Sequence, residues 1–456
     1  MKMSNRRARK DRRSTRRSNP GKPGYACETL ESRMLLTGSW SALVNPVPTY
    51  RPGFLDGANV MMLLSDGSVM VHGSTNFIQN GGTPGSFYNV SSAAWYKLSP
   101  QGNDYHDGTW STLASMNVPR KFFGANVLPS GKVFVVGGEY TLDGASPPNE
   151  IQTFVSSSEI YNPLTNTWTN AANFNTTGHS QFGDDPTAML DGGKVLAGYL
   201  NGPQTYLYDS NNDSWSATGT KVNNGGFSDQ SDEESWVKLP DGSILSYDVF
   251  SSALTNTGHA QRYVPSTGQW SDTGNLPFLL TSGALGSELG PAFLLPDRRA
   301  WFTGANGNTA FYTPATDTWA AGPVIPGGNG ATDDPGAMLP NGKVLLAVSP
   351  IGALNSAGNY NFPAATKVYE FDPLQASNPV THGYSDVTPT IAGFNPSQNA
   401  YQMAMLVLPN GHVLMSNDTG TVLEYTPDGL FQAAWQPVIS NITNDNGSNV
   451  FTLSGY

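Results

Sequence analysis

The sequence contains a single cysteine, Cys27, among 456 residues, and only 13% of its residues are charged. A disulfide or a cysteine-based zinc site needs at least two thiols, so this chain can form neither on its own. It has no run of eighteen apolar residues, and no membrane span is therefore predicted. Glycine-rich phosphate loops, zinc-binding His-Glu-x-x-His helices and nucleophile elbows are absent, so no motif identifies a catalytic residue.

The chain is instead rich in residues that interrupt regular structure, with 50 glycines and 33 prolines. Both residue types destabilise the interior of a helix, which makes a helical bundle a poor match for this composition. The length of 456 residues is also too great for one small hydrophobic core. Length and composition together favour an all-β or repeat architecture.

The formal net charge of −11 is distributed unevenly along the chain. Residues 1–36 carry eleven lysines and arginines against three acidic residues, whereas the remainder carries thirteen basic and thirty-two acidic residues. A body this acidic repels phosphate backbones and attracts cations. We therefore expect no nucleic-acid partner for the body of the protein.

Residues 1–37 form a basic segment without apolar periodicity, and we expect this segment to be disordered and to lie outside the fold. It lacks the apolar stretch of an ordinary signal peptide. The stretch from Cys27 to Leu36 nevertheless resembles the leader of many exported or surface proteins of some bacteria, a basic run followed by a Leu-Glu-x-Arg-x-Leu-Leu box. The resemblance implies an extracellular or cell-surface location. A basic tail without targeting function is the alternative.

A Leu-Pro-Asp-Gly turn recurs seven times with small variations, and the copies lie 44 to 69 residues apart. Asn-Gly or Asp-Gly between apolar runs is the strongest local signal for a β-hairpin. A Tyr-x-Pro-x-Thr-x-x-Trp phrase follows several copies and predicts two further strands joined by a turn. The turns begin at Leu64, Leu128, Leu190, Leu239, Leu295, Leu339 and Leu408, and the second phrase runs from Tyr161, Tyr208, Tyr263 and Tyr312.

Each repeat therefore predicts four antiparallel strands, and seven such units predict a seven-bladed β-propeller in the all-β class. The combined phrases resemble the kelch repeat, although only Gly137-Gly138 keeps the complete glycine pair of that repeat. Blade six lacks the tryptophan phrase, so its outer strand is the weakest assignment. The sequence from Gly38 to Leu43 is similar to that from Gly108 to Leu113, the fourth strand of blade one. This similarity predicts that the amino-terminal strand completes blade seven and closes the ring.

We expect residues 38–436 to form the propeller and residues 437–456 to be the start of a truncated β-domain or a tail. The stretch from Trp435 to Ile442 resembles the opening of the domain that follows the propeller in galactose-oxidase-like proteins. That resemblance implies copper-radical oxidase chemistry, which requires a cysteine linked to a tyrosine together with two histidines. The only cysteine lies in the basic segment, and the histidines do not cluster, so this activity is disfavoured. His259 is interpreted as a residue of a polar loop without a neighbouring carboxylate.

The segments that lead into the innermost strands are acidic, and propellers bind ligands at this end of their channel. An Asp-Asp-Pro sequence precedes the first strand of blades three and six. Carboxylates that meet around one opening must gain a cation, share protons or stay hydrated, and an all-oxygen set suits Ca²⁺. Simple hydration of loop carboxylates is the alternative. The candidate metal ligands are Asp184, Asp185, Asp333 and Asp334.

The remaining candidates for ligand binding are the basic pair Arg120-Lys121 in blade two and the acidic residues Glu233, Glu234 and Glu288. A mixed rim of this kind fits a protein or glycan ligand. Two function classes follow: an exported binding or interaction module, which we favour, and a carbohydrate-active enzyme. The second class has a precedent in kelch-like sialic acid mutarotases, but this sequence offers no catalytic residue set that matches them.

Overall fold

The computed structural model divides the chain into two units, Met1–Leu36 and Thr37–Tyr456, and only parts of the second are described. The predictions made for residues 1–37, including Cys27, lie outside the described residues. So does the predicted boundary between residues 436 and 437. The described ranges are 38–48, 57–77, 88–145, 150–286, 288–354, 356, 360–417, 420–429, 439–444 and 451–455.

The fold is a ring of seven antiparallel, four-stranded sheets, as the repeats predict. First strands of neighbouring blades contact one another around the central channel. Blade one contains Gly57–Leu63, Val69–Phe77, Trp95–Gln101 and Asp104–Thr112; blade two, Gly124–Val127, Val133–Val136, Ser158–Asn162 and Thr167–Ala171; blade three, Thr187–Leu190, Lys194–Ala197, Gln204–Asp209 and Ser214–Thr220. Blade four contains Trp236–Lys238, Ile244–Tyr247, His259–Val264 and Gln269–Asn275; blade five, Leu289–Leu294, Ala300–Gly304, Thr309–Thr313 and Thr318–Ala321. Blade six contains Gly336–Met338, Val344–Pro350, Lys367–Phe371 and Tyr384–Asp386; blade seven, Ala404–Val407, Val413–Ser416, Leu423–Thr426 and Ser39–Ala42.

The recurring turn forms the hairpin between the first two strands of each blade. In blade one, the Leu64 amide donates to the Ser68 carbonyl at 2.8 Å and the Gly67 amide donates to the Leu64 carbonyl at 3.0 Å. Gly67 has a φ of 81°, a left-handed conformation that glycine adopts without steric cost. In blade five, Arg298 takes the glycine position and adopts a φ of 70°, so the turn geometry is kept where the sequence departs from the repeat.

The tryptophan of the second phrase joins one blade to the next. The Trp168 indole donates to the Ala114 carbonyl at 2.9 Å, and the Trp215 indole donates to the Ala172 carbonyl at 2.8 Å; each acceptor follows the outer strand of the preceding blade. Within the blade, Tyr161 packs against Trp168 with ring centroids 5.2 Å apart. In blades two and three the phrase therefore contributes both an intra-blade contact and an inter-blade hydrogen bond.

The ring closes as predicted, because Ser39–Ala42 pairs with Leu423–Thr426 as the outer strand of blade seven. Trp40 lies opposite Tyr425 in this pairing, and its indole donates to the Val387 carbonyl at 2.6 Å. Blade six also has four strands although it lacks the tryptophan phrase. Its outer strand, Tyr384–Asp386, is short and is held by the Tyr384 ring, whose centroid lies 4.8 Å from that of Phe371.

The antiparallel order of the strands gives the ring two different faces. The connections from fourth to first strands and from second to third strands emerge on one face, which we call the upper face; the tight hairpins lie on the lower face. The upper connections of blades one, two and six carry extra strands at Tyr88–Val90, Tyr140–Leu142, Glu150–Gln152, Asn329–Gly330, Ala353–Leu354 and Tyr360–Asn361. A separate hairpin pairs Ile439–Asn444 with Phe451–Gly455.

In the described ranges, helical structure is confined to short connecting segments. The longest helix, Val249–Thr255, is inserted between the second and third strands of blade four on the upper face. Within the described ranges, no helix has the length and apolar character needed to cross a membrane. The short 3-10 helices are Phe174–Thr177, Pro326–Gly328, Pro373–Gln375 and Ala400–Gln402.

Candidate functional site

The acidic residues predicted to surround the channel do meet at its upper end. Six of them line one open cavity with a volume of about 350 Å³, which we call the acidic funnel, whereas Glu288 is not among its lining residues. Blades three, four and six each contribute two carboxylates, and aromatic and aliphatic side chains form the rest of the wall. The lining residues are Asp184, Asp185, Glu233, Glu234, Asp333, Asp334, Val60, Phe122, Phe123, Ser235, Leu289, Pro291 and Tyr401.

The backbone turns inward at the same point in three of these blades. Asp184, Glu233 and Asp333 have φ angles of 55°, 62° and 54°, and each lies six residues before the hairpin leucine of its blade. A left-handed conformation costs a non-glycine residue about 1 kcal/mol. The Glu233 amide donates to the Asp184 carbonyl at 3.3 Å, which fixes the first strand of blade four against that of blade three. The repeated conformation thus presents one carboxylate per blade to the funnel.

Three carboxylates from three blades converge most closely. Glu233, Glu288 and Asp333 each place one oxygen so that all three oxygens lie within 4.8 Å of one another, and we call this set the acidic triad. Glu288 is half-buried, and its Oε2 has no hydrogen-bond partner among the described residues. Glu233 and Glu288 were predicted as ligand-binding residues and Asp333 as a metal ligand, so the triad combines both predicted sets.

The surroundings of the acidic triad disfavour three separate negative charges. Burial, followed by the charges of Asp333 and Asp184, raises the pKa of Glu233 well above its usual range. Burial and the Asp333 charge raise the pKa of Glu288 to about 9. Asp333 is exposed as a whole residue, but desolvation of its carboxylate and the charge of Glu139 raise its pKa to about 7, although a hydrogen bond from Glu233 acts in the opposite direction. These raised pKa values favour the protonated forms of Glu233 and Glu288 when no cation is bound.

Asp184 is hydrogen-bonded to Glu139, a residue that the sequence analysis missed. Burial, the hydrogen bond to Glu139 and the charge of Glu139 together raise the pKa of Asp184 to about 11. Burial and Glu139 also raise the pKa of Asp232, to about 6. A signal for Glu139 was present, since it directly follows Gly137-Gly138 and therefore begins an upper-face connection.

The second aspartate of each Asp-Asp-Pro sequence is more deeply buried than the first. Asp185 and Asp334 are 6% and 4% exposed, and one carboxylate oxygen of each has no hydrogen-bond partner within the described part of the chain. Burial raises the pKa of both groups well above the usual range. These two side chains are thus buried acceptors in the wall of the funnel that the described protein atoms leave unsatisfied.

Glu234, next to Glu233, belongs to a different group of carboxylates that already contains a cation. Lys221 is fully buried, and its Nζ donates to Asp229 Oδ2 at 2.9 Å, to Asp248 Oδ1 at 3.0 Å and to Glu234 Oε1. We call these four residues the Lys221 cluster. Only Glu234 of this cluster was predicted, because Lys221 and Asp229 stand in no recurring motif, although Asp248 occupies a position where the repeat expects glycine.

His259 is bound to the Lys221 cluster, which corrects its interpretation as a residue of a polar loop without a nearby carboxylate. It begins the third strand of blade four and is 5% exposed. Its Nδ1 contacts Asp248, and its Nε2 lies 3.2 Å from Asp272 Oδ1. Although burial opposes the charge, these carboxylates raise the pKa of His259 above its ordinary value.

The predicted basic pair separates into one interior residue and one rim residue. Arg120 is fully buried and donates to Glu159 Oε1 at 2.8 Å and to the Gly137 carbonyl at 2.6 Å. Its donors are therefore used in holding blade two together, and Arg120 does not line the funnel. Lys121 lies beside the wall, with its Nζ 4.7 Å from the centroid of the Phe122 ring.

Comparisons with known proteins identify the repeat in blade two and the ring as a whole. A model of the Kelch motif matches residues 119–175. Over 127 residues, or 28% of its length, the chain is 38% identical to Kelch-like protein 28 of Mus musculus, and it spans 20% of that relative. The extracellular domain of a hybrid two-component system from B. thetaiotaomicron has a similar fold, with a TM-score of 0.51 at 13% identity. That match covers 89% of this chain and 40% of the other.

Proposed function

We propose that this kelch-repeat propeller is a binding module that recognises its ligand through the acidic funnel, and that the funnel binds a cation. The observation that carries the proposal is the convergence of three carboxylate oxygens in the acidic triad within 4.8 Å. In the described ranges no lysine or arginine forms an ion pair with any of the three. An incoming cation would replace the protons that now separate these charges.

The Lys221 cluster supports this proposal from within the same molecule. Three carboxylates meet there too, again with one oxygen of each within 4.8 Å of the others, and the protein places an ammonium group among them. Burying several carboxylates without a counter-charge is strongly unfavourable, which explains the lysine. The acidic triad brings together three carboxylates that are half-buried or exposed, at the open end of the channel, where a solvent-borne cation has access.

Ca²⁺ is the inorganic cation that best suits the funnel. It takes six to eight oxygen ligands in flexible geometry, and the funnel offers only oxygen donors from its polar side chains. Asp184, Asp185, Asp333 and Asp334, the predicted metal ligands, would supply the remaining negative charge around the triad. No histidine is among the residues that line the funnel, and His179 packs against Tyr199 with ring centroids 4.0 Å apart.

Titration calorimetry with Ca²⁺ on residues 38–456 tests the proposal. We expect binding to the unaltered protein and a loss of at least tenfold in affinity when Asp333 and Asp334 are both changed to asparagine. A second double variant, in which Asp184 and Asp185 are both changed to asparagine, tests the other predicted pair in the same way. Asp191→Asn is the matched control, since Asp191 is a fully exposed carboxylate on a lower-face hairpin. Absence of binding heat between pH 6 and 8.5 would remove Ca²⁺ as the cation.

The ligand class and location follow from the family resemblance and from the amino-terminal segment. Kelch propellers generally mediate protein interactions, so the match of blade two supports a protein ligand over a glycan. The leader-like stretch from Cys27 to Leu36 supports export. Mass analysis of the protein from medium and cell fractions checks the location: recovery only from the cytosol with the basic segment intact would contradict export.

A further inference from the structure

We infer that the ligand group taken by the acidic triad is a primary ammonium group on an aliphatic chain, as found in a lysine side chain or a small aliphatic amine. This inference rests on the proposed function, because an ammonium group is one of the cations that the funnel would accept. It goes further by naming the chemistry of the ligand. Four features of the funnel and its surroundings lead to it.

The first feature is the binding mode of Lys221, which shows what an ammonium group does among three carboxylates of this spacing. An ammonium group has three N–H donors and no acceptor. Lys221 directs them to Asp229 at 2.9 Å, Asp248 at 3.0 Å and Glu234, one donor to each carboxylate. The acidic triad offers the same number of acceptor oxygens within the same 4.8 Å. Its geometry therefore suits the donor count of an ammonium group.

The second feature is size. The funnel has a volume of about 350 Å³, whereas a cavity of roughly 10 to 15 Å³ already holds one water molecule. Cavities of about 300 Å³ or more accommodate small organic molecules. A single metal ion would occupy only the region around the triad and leave most of the funnel to solvent. An ammonium group on a chain of methylenes would fill both regions.

The third feature is the wall beside the carboxylates. Phe122, Phe123, Leu289, Pro291 and Tyr401 line the same funnel as the acidic residues. Such surfaces contact methylene groups favourably, and aromatic rings attract ammonium groups over their faces. The Lys221 cluster has the same combination, since Lys221 Nζ lies 5.5 Å from the centroid of Trp270.

The fourth feature is the pair of buried acceptors that the described residues leave unsatisfied. Asp185 Oδ1 and Asp334 Oδ2 have no hydrogen-bond partner in the parts of the chain that the structure describes, and both side chains are more than nine-tenths buried. Both residues line the funnel beside the triad. A ligand with a second polar donor, such as the backbone amide of a lysine-containing peptide, would satisfy acceptors of this kind.

Thermal-shift and calorimetric titrations of residues 38–456 test the inference with three small probes. Nα-acetyl-lysine amide represents a protein source, 1,5-diaminopentane represents a free amine, and Nα-acetyl-norleucine amide is the control without an ammonium group. We expect binding of the lysine probe, at least tenfold weaker binding to Glu233→Gln and Asp333→Asn, and none of the norleucine probe. Asp191→Asn should bind as the unaltered protein does. Stronger binding of the diamine than of the lysine amide would identify a free amine as the source.

Competition on the unaltered protein keeps the test independent of how the variants fold. Added Ca²⁺ should displace the lysine probe if both occupy the acidic triad. Binding of Ca²⁺ without binding of either amine would overturn this inference and leave the proposed function standing. Absence of binding by Ca²⁺ and by both amines would overturn both. Equal binding of the lysine and norleucine probes would show that the ammonium group is not recognised, which also overturns the inference.

Discussion

Two groups of three carboxylates lie side by side in this propeller and differ in their burial and in the presence of a basic side chain. Glu234, Asp229 and Asp248 surround Lys221 in the interior, whereas Glu233, Glu288 and Asp333 meet at the mouth of the channel without a basic side chain in ion-pair contact, as far as the structure describes the chain. Glu233 and Glu234 are adjacent, so neighbouring positions enter the two groups. The comparison indicates that the protein neutralises its interior carboxylates itself and leaves the outer ones for a cation from solution.

Removal of the interior cation should cause the largest change in stability among the variants proposed below. Lys221→Met keeps much of the side-chain volume but leaves three buried carboxylates without their counter-charge, so we expect the free energy of unfolding to fall by about 3 to 5 kcal/mol. Urea unfolding at pH 7.5 measures it. Lys238→Met is the control, since Lys238 is 44% exposed and pairs with the exposed Asp191, and it should cost less than about 1 kcal/mol. Similar losses in the two variants would show that the interior carboxylates are not a matched ion cluster.

Neutralising each of the adjacent glutamates should change stability in opposite directions. Glu234→Gln removes a charged partner of Lys221 and should destabilise by about 1 to 3 kcal/mol. Glu233→Gln removes the cost of protonating this carboxylate on folding, while the new amide can still donate to Asp333, and should stabilise the cation-free protein by about 1 kcal/mol at pH 8. Urea unfolding of both variants in chelator measures the effect. A destabilising effect of Glu233→Gln would contradict the view that the acidic triad is unsatisfied.

The pH dependence of stability should differ between the cation-free protein and a variant in which one carboxylate of the acidic triad is neutralised. Burial raises the pKa of Asp333 to about 7 and of Asp232 to about 6, so the native state binds more protons than an unfolded chain with values near 4. Stability from these groups is present below pH 4 and is lost as the pH rises towards 7. Without a cation, the midpoint temperature of thermal unfolding should decrease as the pH is raised from 5 to 8. Asp333→Asn should make this decrease smaller. A midpoint that rises across this range would be the contrary result.

Proton release on cation binding is the smallest expected effect and the most specific. Glu233 donates a hydrogen bond to Asp333 in the cation-free state, and a cation at the acidic triad must displace that proton. At least one proton should therefore leave per cation bound near pH 7, and the affinity should rise with pH. Calorimetry in two buffers with different ionisation enthalpies counts the protons. Identical heats in both buffers would place the cation elsewhere.

The ring could be predicted from the sequence because local chemistry repeats in each blade. The Asp-Gly and Asn-Gly turns and the tryptophan phrase each act within one blade or between two neighbours, so their spacing reveals seven units. Even blade six, where the phrase is missing, completes its sheet with Tyr384–Asp386. The carboxylates of blades three, four and six were also found, since they share one position relative to the hairpin leucine.

The partners of those carboxylates could not be predicted in the same way. Lys221 meets Asp248 across 27 residues and Arg120 meets Glu159 across 39, without a motif that links either pair. The adjacent residues Arg120 and Lys121 form isolated β-bridges with different segments, Arg120 with Ser92 and Lys121 with Tyr140. Adjacency in the sequence therefore did not place both side chains on the rim. Which carboxylate finds an internal cation depends on the packing of whole blades.

Closure of the ring by Ser39–Ala42 also determines when the protein can finish folding. This strand is synthesised near the beginning, but its partner, Leu423–Thr426, is made almost 400 residues later. Contacts this distant in sequence form slowly, because a long loop must close before they contribute. Six blades can therefore assemble in order, whereas the edge of Leu423–Thr426 in the seventh blade stays exposed until Ser39–Ala42 pairs with it. A chain that crosses a membrane amino end first would deliver the closing strand early and complete its fold only after nearly all of the propeller has followed.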